Sequence, residues 1–288
     1  LFLYALYFSE KSQPRLEMAL SGYTFGCVIV TALSLLIYSG VTGLDTEMVS
    51  KYEGRLTATF KDPNVYGSYL ILAACNLAQS IILKRAKYVW LNAMALLIVL
   101  IGVFLSFSRG SWGATFFAVA MVLTLSFLTC GSALLRQRMV LLLGAGLFAG
   151  IIGLGGLMSV EHTRNLLLDR FTLTKDYDEG PNGRFGNQQR SIPMLLDRPL
   201  GFGPLRYRNV FNLEPHNSYI NSFASFGWLG GFAWFSIVGW TMFMGFRLAW
   251  IASPYRRLAQ IVWPPLFVLL MQGFQIDIDH WRQIYLLF

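Results

Sequence analysis

Glu214-Pro-His-Asn-Ser-Tyr-Ile-Asn-Ser-Phe-Ala-Ser-Phe-Gly-Trp-Leu-Gly-Gly231 is the stretch where a polar loop turns into a long apolar helix. Pro215 precedes the turn, and Asn217 or Ser218 supplies an oxygen that can cap the first free backbone N–H groups of a helix. The apolar pattern then runs to about Trp250. At ~1.5 Å per residue such a helix outruns the ~30 Å of hydrocarbon in a bilayer. It must tilt, protrude or bend, and Gly230 and Gly231 mark the expected bend. Gly227 and Gly231 stand four residues apart, the spacing at which membrane helices approach closely.

The same reading extends to the whole chain. Of its 288 residues, 55% are hydrophobic and only 13% charged, with a mean hydropathy of +0.51. That is more apolar surface than a soluble domain can bury, so the expected fold is all-α, a polytopic transmembrane helix bundle with one long extracytoplasmic loop. The sequence opens in an apolar run, Leu1 to Phe8, and closes in another, Ile284 to Phe288, and neither spans a bilayer. It therefore reads as a fragment truncated at both ends.

Five complete spans are expected before the long loop, at about Met18 to Tyr38, Val65 to Leu83, Tyr88 to Phe107, Trp112 to Cys130 and Met139 to Ser159. Together with the N-terminal remnant they make a first region, 1–159. The hydrophilic segment 160–215 is the second region. A third, 216–288, holds the C-terminal membrane helices, with spans at Ser218 to Trp250 and about Leu258 to Phe274. Asp62 and Pro63 suit a helix start. Ser108-Arg-Gly-Ser111 makes a tight connection between two spans, Gly146 and Gly150 suggest close helix packing, and Pro264-Pro265 suggests a bend. Cys27, Cys75 and Cys130 fall inside spans at spacings that suit neither zinc nor a disulfide framework.

If the spans alternate across the membrane, one face collects ten of the Lys and Arg residues against Glu10 and Glu17 alone. That face carries +8, the entire net charge of the chain. The opposite face holds the remaining thirteen basic and thirteen acidic residues and is neutral. By the positive-inside rule the first face is cytoplasmic, and the long loop and His216 face the extracytoplasmic side. The pI near 9.5 then reflects topology, and a nucleic-acid partner is not needed to explain it.

Ten of the thirteen outer basic residues are arginine, whose planar fork suits phosphate oxygens. Arg109 sits at the mouth of two spans, to bind lipid headgroups and helix-end carbonyls or to serve a reaction. Arg184 follows an acidic run, Asp176 to Glu179, in a glycine-rich turn. Arg55 lies near a helix entry. Arg190, Arg198, Arg206 and Arg208 can pair with Asp197, Glu214 or backbone. His162 beside Glu161 reads as interfacial, and Asp277, Asp279 and His280 lack the further ligands that a metal site would need. At a helix start the positive end of the helix dipole disfavours imidazolium, so His216 is expected to be neutral and able to accept a proton. Its alternative role is to start the helix through hydrogen bonds.

These residues resemble the bacterial O-antigen ligases and their relatives, the O-antigen polymerases and protein O-oligosaccharyltransferases. His216-Asn217, followed by Gly227 and Gly230, is similar to the signature after the long periplasmic loop. Ser108-Arg109 with Trp112 resembles the family's short Ser-Arg loop, Gly183-Arg184 its second arginine, and Arg55 through Asp62-Pro63-Asn64 an earlier helix entry. Asp277 to Arg282 resembles the polar start of the last helix. The resemblance implies an inner-membrane glycosyltransferase that moves a glycan from undecaprenyl pyrophosphate to an acceptor hydroxyl on lipid A-core or another glycan, without metal or other cofactor. It implies His216, Arg109 and Arg184 as catalytic, and Arg55, Asn217, Arg206 and Arg282 as substrate-binding. Membrane lipids are the remaining partner. Two other readings stand beside it: an O-antigen or exopolysaccharide polymerase, and a transporter or flippase for a lipid-linked sugar.

Overall fold

The computed structural model of the chain describes residues 12–50, 52, 54–83, 88–159, 180 and 183–288. Every element of regular structure within them is helical, as the composition requires. Leu1 to Phe8, the basic run Lys84 to Lys87, His162 and the acidic run Asp176 to Glu179 lie outside the described residues. The chain falls into two compact units, Leu1–Arg170 with Phe246–Pro265, and Phe171–Gly245 with Leu266–Phe288.

The first unit is built on α1 (Ser12–Tyr38), α2 (Pro63–Tyr69), α3 (Ile71–Ile82), α4 (Val89–Leu105), α5 (Arg109–Thr129) and α6 (Ala133–Met158). α3 sits at its centre, packed against α1, α4 and α5. Leu70, Ile71, Ala73, Ala74 and Cys75 are all buried there. Small residues bring the backbones together. A Cβ on Gly102 of α4 would lie 2.6 Å from Thr31 and from the Tyr66 hydroxyl, so only glycine fits. The Tyr66 hydroxyl itself donates to Thr31 Oγ1 at 3.0 Å. Buried amides add a second link: Gln79 Nε2 donates to Ser126 Oγ at 3.3 Å, and Gln260 Nε2 to Thr129 Oγ1 at 2.9 Å. Between apolar helices, where burial drives no association, such polar pairs hold neighbours in register.

The expected span from Val65 to Leu83 consists of two helices, α2 and α3, meeting at Leu70. Its start is as read: Asp62 accepts from Asn64 N at 2.6 Å and Pro63 occupies the first turn. A Cβ on Gly146 of α6 would meet nothing within 4 Å among the described residues, so this glycine marks no packing contact there. Four helical stretches among the described residues are long and apolar enough to cross a membrane: Ser12–Tyr38, Pro63–Ile82, Arg109–Thr129 and Ser218–Trp250.

The second unit contains α7 (Arg184–Leu196), α8 (Tyr207–Phe211), most of α9 (Ser218–Trp250), the end of α10 (Arg256–Gln272) and α11 (Arg282–Leu287). The hydrophilic segment 160–215 is thus partly helical. Leu195, Tyr207 and Ala224 form its small core with Phe202, Phe211, Ile220 and Phe223. Pro264 and Pro265 lie inside α10, which continues through them.

The bend in α9 falls at Gly227, three residues before the expected site. Gly227 has φ 67° and ψ −163°, a conformation open to glycine and costly for any other residue. The break frees backbone groups, and the loop after α7 satisfies them. Phe202 N and Gly203 N both donate to Ala224 O, at 2.7 and 3.0 Å, and Trp228 N donates to Pro199 O at 2.9 Å. A Cβ on Gly227 would lie 2.2 Å from Pro199 O. The close approach that the glycine spacing suggested is therefore to a loop. Gly230 and Gly231 keep the helix going, and their missing side chains leave room for Phe226 and Phe223 of the same helix.

Candidate functional site

The head of α9 is held by a strap, residues 273–278, that follows α10. Ser218 N donates to Gly273 O at 2.8 Å, Asn217 Nδ2 to Phe274 O at 3.0 Å, and Ile278 N to Ser218 Oγ at 2.7 Å. Asn217 is the cap: its Oδ1 accepts from Tyr219 N and Ile220 N, both at 3.0 Å. With both lone pairs of its oxygen and one of its amide N–H groups used, this buried side chain is held on both sides.

His216 stands one residue earlier with φ 45°, in the left-handed region that histidine enters more readily than most residues. The turn is fixed from two sides. The Asp277 carboxylate accepts from His216 N at 3.1 Å and from Asn217 N at 3.0 Å. From the other side, Gln188 Nε2 of α7 donates to Pro215 O at 2.8 Å and to His216 O at 3.3 Å. The imidazole Nδ1 lies 3.6 Å from Asp277 Oδ2, within ion-pair range though longer than a hydrogen bond. The His216 side chain is 38% exposed and that of Asp277 16%. The ring is therefore reachable while its orienting carboxylate is largely shielded.

Asp277 is the residue whose role sequence reasoning missed, since in sequence it stands out only as part of an incomplete metal site and of the polar start of the last helix. Burial, together with the neighbouring Asp279, pushes its carboxyl up to about 6. Asp279 goes the other way: burial raises it, but hydrogen bonds from His280 and Asn221 outweigh that and hold it below the usual carboxylate range. Asn221 Nδ2 donates to Asp279 Oδ2 at 2.7 Å, which ties the second turn of α9 to the same strap region. Among the described residues no group of three His, Cys, Asp or Glu side chains is placed to hold a metal ion.

Arg184 shares this unit. It is the first residue of α7, behind the Gly183 cap, and its NH1 donates to Gln275 O at 3.1 Å. The strap thus joins Arg184 to His216. Arg206, at the head of α8, and Arg282, the first residue of α11, are both exposed. Neither side chain hydrogen-bonds to His216, Asn217 or Asp277 among the described residues. Arg208 pairs with Glu214 at 3.8 Å, as the sequence suggested.

Arg109 and Arg55 belong to the first unit. Arg109 is not in a loop: Ser108 caps α5, accepting from Ser111 N at 3.3 Å, so Arg109 is the first helical residue and half-buried. Arg55 braces the same corner. Its Nε donates to Ser106 O at 3.0 Å and its NH2 to Asn64 Oδ1 at 3.1 Å. Ser111 Oγ donates to Asn64 O at 3.2 Å and Ser68 Oγ lies 3.1 Å from Ser111 Oγ. A Cβ on Gly67 would come within 2.7 Å of Ser106 and Ser111, so this serine cluster depends on a glycine opposite it.

A base beside a shielded carboxylate, with an arginine on the same strap, makes a set of parts suited to polar group transfer. No curated protein and no solved structure matches the chain. Residues 94–235 match a family model described as O-antigen ligase, a stretch that includes Arg109, Arg184, Arg206, His216 and Asn217 but not Arg55, Asp277 or Arg282. With its apolar helices the chain is a multi-pass membrane protein, and over residues 94–235 it is similar to the O-antigen ligase family, a family of glycosyltransferase-type enzymes.

Proposed function

We propose that the protein transfers a glycan from undecaprenyl pyrophosphate to an acceptor hydroxyl at the periplasmic face of the inner membrane, with lipid A-core as the acceptor. His216 acts as general base. As the acceptor oxygen bonds to the anomeric carbon, its O–H bond breaks and the proton passes to the imidazole. The bond from that carbon to the pyrophosphate oxygen breaks in the same step, and the electron pair leaves with the pyrophosphate. Asp277 fixes the ring through the turn that carries it. Arg184 stabilises the departing charge, and Arg109 does the same by virtue of its motif, each contact being worth about 10²- to 10³-fold in rate. Arg206 and Arg282 contribute charge for the donor's phosphates. Arg55 supports the turn before Arg109, and Asn217 caps the helix beneath His216.

The observation that most supports this reading is the accessible imidazole of His216 beside the shielded carboxylate of Asp277, 3.6 Å away. The test uses the full-length protein with purified lipid-linked donor and acceptor. His216→Ala should lower transfer by about 10²- to 10⁴-fold. His216→Asn, which tolerates the left-handed backbone, separates chemistry from strain. A folded His216→Asn protein with near-native transfer would remove histidine from the mechanism. The product decides between ligation and polymerisation: capped lipid A-core for the first, a longer lipid-linked chain for the second.

A further inference from the structure

α7 is turned inside out. Phe185, Ile192 and Leu196 are spaced by seven and four residues, which puts them on one helical face. All three are exposed, at 48%, 51% and 64%. The residues it buries are mainly polar: Asn187, Gln188 and Ser191. Each is used. Asn187 Nδ2 donates to Phe211 O at 3.4 Å, its carbonyl accepts from the Tyr207 hydroxyl at 3.2 Å, and Gln188 holds the turn at Pro215 and His216. Ser191 Oγ donates back to Gln188 O at 2.8 Å. A helix that spends three polar side chains on the interior and shows Phe185, Ile192 and Leu196 outside, with only Gln189 among them and Arg190 beside them, gains little from water.

The stripe also leads somewhere. Beyond Leu196 the chain reaches Leu200, 89% exposed, in the loop bonded to the break in α9. Trp228 secures the junction from the other side, its Nε1 donating to Leu195 O at 3.0 Å. From that point residues 228–250 form an apolar helix of about 35 Å, enough to cross a bilayer. Its first turn exposes Leu229 and Phe232. The exposed apolar surface of α7 is therefore continuous, through hydrogen-bonded neighbours, with the start of a membrane span. Cations line it. Arg184 lies over the Phe185 ring at 4.8 Å and Arg198 over Phe202 at 5.2 Å, and Arg190 and Arg198 are exposed. Guanidinium groups stacked on aromatic rings beside an apolar stripe suit lipid phosphates.

We infer that α7 is a membrane-surface helix, its stripe Phe185, Ile192 and Leu196 with Leu200 seated at the headgroup–acyl boundary of the bilayer entered by residues 228–250. The occupant of the stripe is lipid, and the exposed Arg190 and Arg198 beside it meet lipid phosphates. The polar face of the same helix carries Gln188, so the bilayer becomes the floor on which the His216 turn stands.

Site-directed spin labelling of the full-length protein tests this in liposomes of phosphatidylethanolamine and phosphatidylglycerol. Single labels go on Ile192→Cys, Leu196→Cys and Leu200→Cys in a Cys130→Ser background, Cys27 and Cys75 being buried. Because the three positions are exposed, a label there leaves the packing intact. The expected result is relaxation by oxygen, which concentrates in lipid, exceeding relaxation by a water-soluble nickel chelate at all three. Stronger relaxation by the chelate would put the stripe in water. Protection from both relaxants would put it under protein. Either outcome overturns the inference.

Discussion

Two helix heads carry the residues of greatest interest, and they are built in opposite ways. The head of α5 is closed locally: Ser108 takes the N–H of Ser111, and Ser106 Oγ accepts from Ser108 N at 3.3 Å, all within a few residues of Arg109. The head of α9 is capped by its own Asn217 but held in place from afar. Asp277, Phe274 and Gly273 reach it across about 60 residues of sequence, and Gln188 from 28 residues upstream. The first cap is made by neighbours in sequence, with Arg55 and Asn64 bracing its corner. The second is held only when the whole unit is folded, so disturbing the strap or α7 should reach His216 without touching it.

The largest effect that bears on this contrast is Arg184→Ala. Loss of the side chain should slow transfer by about 10²- to 10³-fold. Because it also removes the bond to Gln275 O, Tm should fall as well. Restoring the cation as Arg184→Lys should recover part of the rate but not the forked geometry. An Arg184→Ala protein with native transfer would detach the strap from the chemistry. Next come the caps themselves. Asn217→Ala leaves two N–H groups and one buried carbonyl without their partner and should cost about 3 kcal/mol, against about 1 kcal/mol for Ser108→Ala. Denaturant unfolding in detergent measures both, and equal costs would erase the distinction between remote and local closure.

The smallest effect is in pH. Transfer should decline, by less than tenfold at first, as pH falls through about 6, because a protonated Asp277 gives up acceptor capacity for His216 N and Asn217 N. Stability runs the other way. The folded chain holds the Asp277 proton more tightly than the unfolded chain, so this group's contribution is greatest below about 4, declines as pH rises to about 6, and is level beyond. Asp277→Asn removes both trends. Its Tm relative to the native protein should improve between about pH 4 and 7, and its rate should lose the acidic limb. A native-like pH–rate profile in Asp277→Asn would assign that limb to another group.

The same contrast explains how much can be read in advance. Helix starts written in neighbouring residues are legible: Asp62 with Pro63, and Asn217 after Pro215. Ser108 is legible as a polar turn, but the helix begins one residue after it because a serine cap needs only Ser111 N, and Arg109 is absorbed into the first turn. Gly227, Gly230 and Gly231 look alike in sequence. Only the approach of Pro199 singles out the first, and that contact comes from a loop well upstream in the chain. Asp277 is visible as an acid among acids, its role set by two N–H groups from a distant turn. α7 is hidden for a different reason: its polar residues face inward, so the segment averages as hydrophilic loop although one face is apolar. The spacing of Phe185, Ile192 and Leu196 is the signal that could have found it.

The break at Gly227 has a mechanical consequence. Residues 228–250 span about 35 Å, somewhat more than the ~30 Å of an average hydrocarbon layer, and a tilt of about 30° absorbs the excess. Thicker or thinner membranes change that angle. In an unbroken helix the change would swing the far end, but here the loop of residues 199–203 pins both sides of the break, so the lean is taken up beyond Trp228 while residues 218–226 stay bound to the strap. The imidazole is thereby insulated from bilayer thickness, so the protein should tolerate lipids of differing chain length with little change in turnover.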